Sequence, residues 1–192
     1  MQYATHGLSS SLACAAGAIV MIVGAPGCST APEPRDRETF VSESRAATRW
    51  FENNVLGMRA QIEESAGYIV FPSVGQFGLV FGGGRFGRGV VNTNADVQLG
   101  WAAVDSASIG LQAGAQGFKM LVLFEDDATF RRYQEGKLAG SATAVAIAGE
   151  AGRSGTAPFV DGVVVYQGDN TGLMAGVNIG LDYLRYEPLD GD

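Results

Sequence analysis

From Tyr68 onward, apolar residues recur at every second position and glycines keep interrupting them. A period of two sends successive side chains to opposite faces of a strand. "FGLVF" sets Phe77, Leu79 and Phe81 on one side. "ADVQLGWAAV" alternates Asp96, Gln98 and Gly100 against Val97, Leu99 and Trp101, and "SIGLQAGAQ" repeats the pattern. "YIVF" precedes them and is predicted to stop at Pro72, while "KMLVLF" is continuously apolar, as a strand covered on both faces is. "GSATAVAIAGE", "GVVVYQ" and "GLMAGVNIG" read as further strands between Gly, Asp and Asn turns. Glycine fills 28 of the 192 positions, about twice its ordinary ~7% share. There is no collagen triplet period, so the glycines read as tight turns and close backbone approaches in a sheet.

A helical period precedes the sheet. Phe40, Ser44, Ala47, Phe51, Val55, Met58 and Ile62 follow one another at steps of 3 or 4, which is one face of a helix. Trp50 and Leu56 widen that face. Gly57 is a candidate break, and Gly67 is the predicted helix stop. "DDATFRRYQEG" reads as a short second helix, with Asp126 as its cap and Phe130 and Tyr133 on one side. The predicted fold is α+β: a leading amphipathic helix, then a mostly antiparallel glycine-rich β-sheet with one inserted short helix, in a single domain.

Residues 1–27 contain no Asp, Glu, Lys or Arg. Their apolar stretch, residues 12–25, is 14 residues long. A spanning helix needs about 20, so the stretch fits a secretory leader better than a membrane anchor. "APGCSTAPEP" then resembles a bacterial lipoprotein cleavage box, with small residues before Cys28 and a Pro/Ser/Thr-rich stretch after it. The expected division is a signal peptide over 1–27, a flexible tether over 28–37 and a domain over 38–192. Cys28 is the lipid-attachment candidate. An ordinary signal peptide with an incidental cysteine is the alternative.

"FGGGRFGRGVVN" contains G-x-G-x-x-G at Gly82, Gly84 and Gly87. A dinucleotide site needs a helix opening on those glycines. The β-branched residues and Asn turns that follow are poor helix formers, so no nucleotide cofactor is expected. Within the same stretch Phe86 stands between Arg85 and Arg88, which reads either as an aromatic with headgroup-binding cations or as a packed Phe with solvated arginines.

Five ordered blocks across residues 67–180 resemble the SYLF-domain family. They are Gly67-Tyr68-Ile69-Val70-Phe71-Pro72, the glycine-rich pair around Phe77-Gly78 and Gly82-Gly83, Gly110-Leu111-Gln112-Ala113-Gly114-Ala115-Gln116, Leu121-Val122-Leu123-Phe124, and Gly172-Leu173-Met174-Ala175-Gly176-Val177. The resemblance implies a lipid-binding module, and for a bacterial relative an exported lipoprotein. The turn before the last block is often basic in that family and here reads Gln167-Gly168-Asp169-Asn170-Thr171. Actin, a partner of some eukaryotic relatives, is not expected for an exported bacterial chain.

The net charge of −7, with scattered Lys and Arg, leaves no basic footprint for nucleic acid. The only histidine is His6, and the cysteines are Cys14 and Cys28. A mature domain without either residue type excludes His-dependent triads, thiol catalysis and Cys-based zinc sites. The expectation is therefore a non-enzymatic protein with no cofactor and no metal. It would bind membrane phospholipid through Trp50, Phe51, Arg85, Phe86 and Arg88. It would be exported and anchored facing the periplasm, with the outer membrane preferred. The competing expectation is an envelope structural module that binds a protein partner or itself.

Overall fold

The computed structural model describes residues 30–79, 82–108, 114–138, 156–169, 172–173 and 184–189. After a single 3-10 turn over Pro34–Asp36, α1 runs over Arg37–Asn54 and α2 over Met58–Glu64. The strands are β1 (Gly67–Leu79), β2 (Gly82–Thr93), β3 (Gln98–Ser108), β4 (Gly114–Phe124), β5 (Val163–Asp169), β6 (Gly172–Leu173) and β7 (Leu184–Pro188), with α3 (Asp127–Gln134) between β4 and β5. Among the described residues they form one sheet of seven strands in the order β6-β5-β4-β1-β2-β3-β7. Every neighbouring pair is antiparallel. The α+β architecture expected from the periodicities is the one observed.

The expected helix face is real, in two pieces, except at Leu56, which is exposed. Ser44, Ala47 and Phe51 are the buried stripe of α1, and Met58 and Ile62 continue it in α2. Gly57 makes the joint in the left-handed region, at φ +82°. The helices end earlier than expected. Ser65 closes α2, its Oγ donating to the Ile62 carbonyl at 2.7 Å. Gly67 is instead the first residue of β1, where a Cβ would meet the Phe130 ring and the Asn92 carbonyl. Pro72 does not end a strand either. The ladder to both neighbours shifts by one residue around Pro72, a bulge that absorbs the missing N–H and lets β1 continue. The stretch expected to be a flexible tether is docked at Thr30 and Ala31: their N–H groups donate to the Glu187 carboxylate at 3.0 and 3.2 Å, and both residues are buried. The predicted strand over 140–150, and most of those at 108–116 and 172–180, lie outside the described residues.

The sheet has an apolar core on each face. On the helix side, Tyr68, Val70, Val90, Trp101, Leu121, Leu123, Val164 and Tyr166 pack against Phe51, Met58 and Ile62. On the opposite side, Ile69, Phe71, Val91, Val122, Phe124 and Val165 enclose Phe130 and Tyr133 of α3. The continuous apolar run in β4 reflects this double coverage. The Tyr133 ring stacks on Phe124 of β4 at 5.1 Å and touches Tyr186 of β7 at 5.9 Å. These strands stand four positions apart in the sheet, roughly 19 Å if it were flat. One ring bridging them means that the sheet curls around α3.

Candidate functional site

Strand alternation decides where the expected lipid-contacting residues point. Val90 faces the helices, so Arg88 and Phe86, two and four residues back along β2, share its face. Both are exposed, Phe86 at 57%. Phe86 lies across Gly75, its partner on β1, where a Cβ would come within 2.6 Å of the ring. Arg85 takes the opposite direction. It is half-buried on the concave side, with its Nε donating to Gln76 Oε1 at 3.1 Å. Burial pulls its pKa down from the ordinary guanidinium value. The "RFGR" run is therefore split between the two faces of the sheet.

Phe51 is fully buried, so its ring belongs to the core between α1 and the sheet and offers no surface to lipid. Trp50 is half-buried. Its ring covers Gly168, where any Cβ would overlap it, and the Lys119 ammonium sits 5.4 Å above it. Cys28 lies outside the described residues.

The register reveals what the linear sequence hides. Arg88 pairs with Ser73 on one side and Ala103 on the other, and Ala103 pairs with Arg185. Lys119 stands on β4 opposite the β1 bulge. Lys119, Arg88 and Arg185 therefore form one line across five strands, β4-β1-β2-β3-β7, on the helix-side face just beyond the helices. The neighbouring row reads Gly117, Gly75, Phe86 and Asp105. Asp105 forms an ion pair with Arg185. Sequence reasoning found Phe86 and Arg88 but missed Lys119 and Arg185, which are 66 residues apart and meet only through strand pairing.

A second feature is a cleft of about 190 Å³ between α1 and the ends of β1, β2 and β3. One wall is α1, through residues such as Ser44, Arg45, Thr48 and Arg49. The floor includes Val70 and Val90. At its rim the Tyr68 hydroxyl donates to Asp96 Oδ1 at 2.6 Å, and Arg59 reaches Asp96 Oδ2 at 2.8 Å. Burial and the adjacent Asp96 carboxylate raise the Tyr68 pKa. Burial also pushes the Asp96 carboxyl up, but hydrogen bonds from Tyr68 and Arg59 outweigh it and hold the group below the usual carboxylate range.

Among the described residues no three His, Cys, Asp or Glu side chains converge to hold a metal ion, and no helix is long and apolar enough to cross a membrane. No protein-family model matches the chain, and no curated protein matches it at a significant level.

Proposed function

We propose that this protein is a non-enzymatic lipid-binding component of a bacterial cell envelope, exported and held at a membrane by acyl chains on Cys28, with the outer membrane as the preferred site. The observation that carries the reading is the line of Lys119, Arg88 and Arg185 beside the exposed Phe86. A cation near an anionic lipid surface contributes about 1 kcal/mol, and a neighbouring aromatic ring suits the wet-to-apolar boundary. The chain as a whole is acidic, at −7, so a local basic row is the part that would face such a surface. The sequence resemblance to SYLF domains and the lipoprotein-like box at Cys28 support the same reading.

The test is co-sedimentation of the full chain with phosphatidylglycerol and phosphatidylcholine vesicles. Binding should favour the anionic vesicles and fall with salt. Arg88→Gln should weaken it about fivefold, and Phe86→Ser should weaken it further. Equal binding to both vesicle types, or wild-type binding by the combined Phe86→Ser/Arg88→Gln variant, would overturn the headgroup reading. Mass spectrometry of the protein from its producing cell should find Cys28 carrying acyl chains.

An envelope interaction module is the second reading. One observation favours it: β7 is a terminal strand of the sheet, pairing among the described residues only with β3. An edge of this kind is a template for another chain. Concentration-dependent self-association of the full chain, without vesicle binding, would select this reading.

A further inference from the structure

The cleft beneath α1 has no part in the lipid-surface reading, yet it is built with donors that lack acceptors. Ser44 is 2% exposed, and its Oγ has no hydrogen-bond partner. Gln98 also lines the cleft, and its Nε2 is a buried atom without a hydrogen-bond partner. A buried polar group left unpaired destabilises a fold, and such groups in a folded protein call for an explanation such as an absent water, ion or ligand.

Gln98 reaches this cleft because of a specific irregularity. Val91 pairs with Gly100, but Asn92 pairs with Gln98, so β3 carries one extra residue at Leu99. Leu99 packs on the concave side while Trp101 packs on the helix side, and the bulge turns Gln98 back toward α1.

The charges point to an anion. Three arginines and two carboxylates line the cleft. Both carboxylates are held by one arginine: Arg59 Nη1 is 3.3 Å from Glu52 and 2.8 Å from Asp96. Arg45 and Arg49, one turn apart on α1, make no ion pair with any described residue. The free groups are thus two guanidinia, a hydroxyl and an amide N–H₂. An oxyanion, which accepts at every oxygen, satisfies such a set. The volume equals that of roughly six waters, ample for one phosphate group.

We propose that the cleft binds a phosphate group, clamped by Arg45 and Arg49 and completed by the Ser44 hydroxyl and the Gln98 amide. The phosphate is either that of a soluble ester or that of a lipid headgroup. The site stands apart from the Lys119–Arg88–Arg185 row and does not depend on the membrane reading.

Titration calorimetry of the full chain with inorganic phosphate and with glycerol 3-phosphate tests it. Saturable binding is expected, weakened at least about tenfold in Arg45→Gln/Arg49→Gln, as the loss of charged hydrogen bonds implies. Ser44→Ala should weaken it roughly fivefold. Phe86→Ser/Arg88→Gln should bind phosphate like wild type. Arg45 and Arg49 are exposed, and thermal unfolding will verify that their variants fold. Absence of saturable heat with either probe, or wild-type affinity in the double arginine variant, would overturn the proposal. Given phosphate binding, loss of phosphatidylglycerol-vesicle binding in the same variant identifies a lipid headgroup as the source. Unchanged vesicle binding identifies a soluble ester. Either result leaves the site standing.

Discussion

At the scale of single residues, Asp96 joins more of the structure than its exposed position suggests. It sits in the left-handed region at φ 63°, accepts from Tyr68 and pairs with Arg59. Its folded-state pKa is held down, so its contribution to stability is complete above the unfolded value of about 3.9. That contribution is lost as the pH falls through the lower folded value. Asn tolerates the same backbone conformation, so Asp96→Asn isolates the charge. Above pH 5 the variant should be less stable than wild type by about 1 kcal/mol, given how exposed the pair is. The gap should close as the pH falls below about 4 through the lowered folded-state value, as urea midpoints across that range will report. The individual residues of both candidate sites were only partly visible in the sequence. Phe86 and Arg88 were, because they stand two residues apart and are chemically distinctive. Ser44 was counted in the apolar stripe of α1, and burial alone separates its hydroxyl from a packing atom.

At the scale of elements, the sequence carried most of the information, because periodicity is a local property. The buried stripe of α1, the doubly covered β4 and the Asp126 cap, whose Oδ1 accepts from the Thr129 N–H at 2.8 Å, were all legible. Boundaries were less so. Pro72 looked like a stop because a proline removes a ladder bond, and only a neighbouring strand can reveal that a bulge absorbs the loss. The extra residue at Leu99 was invisible for the same reason, since it exists only relative to β2. The joint between α1 and α2 gives a direct test. A Cβ on Gly57 has room, its nearest neighbour being Thr156 at 3.7 Å, but φ is +82°. Gly57→Ala should therefore cost about 1–2 kcal/mol from backbone strain alone, measured by chemical denaturation. The cost should fall on folding rather than on phosphate or vesicle binding.

At the scale of the whole molecule, the curl of the sheet is the property that no local pattern encodes. It depends on Tyr133, which is buried, stacks on Phe124, touches Tyr186 and donates its hydroxyl to the Arg185 carbonyl at 3.1 Å. Tyr133→Ala should cost about 3–5 kcal/mol, as other buried aromatics do. Hydrogen exchange should find the β7 amides losing protection before those of β4. Tyr133→Phe should keep the packing and lose only about 1 kcal/mol with the hydrogen bond.

The docking of Thr30 and Ala31 on Glu187 brings the start of the described chain against its last strand. Cys28 is two residues before Thr30, roughly 7 Å of chain. If that cysteine carries acyl chains, the body cannot swing like a balloon on a string. Anchored in that way, it would stand with the β7 rim toward the bilayer and have little freedom to turn over.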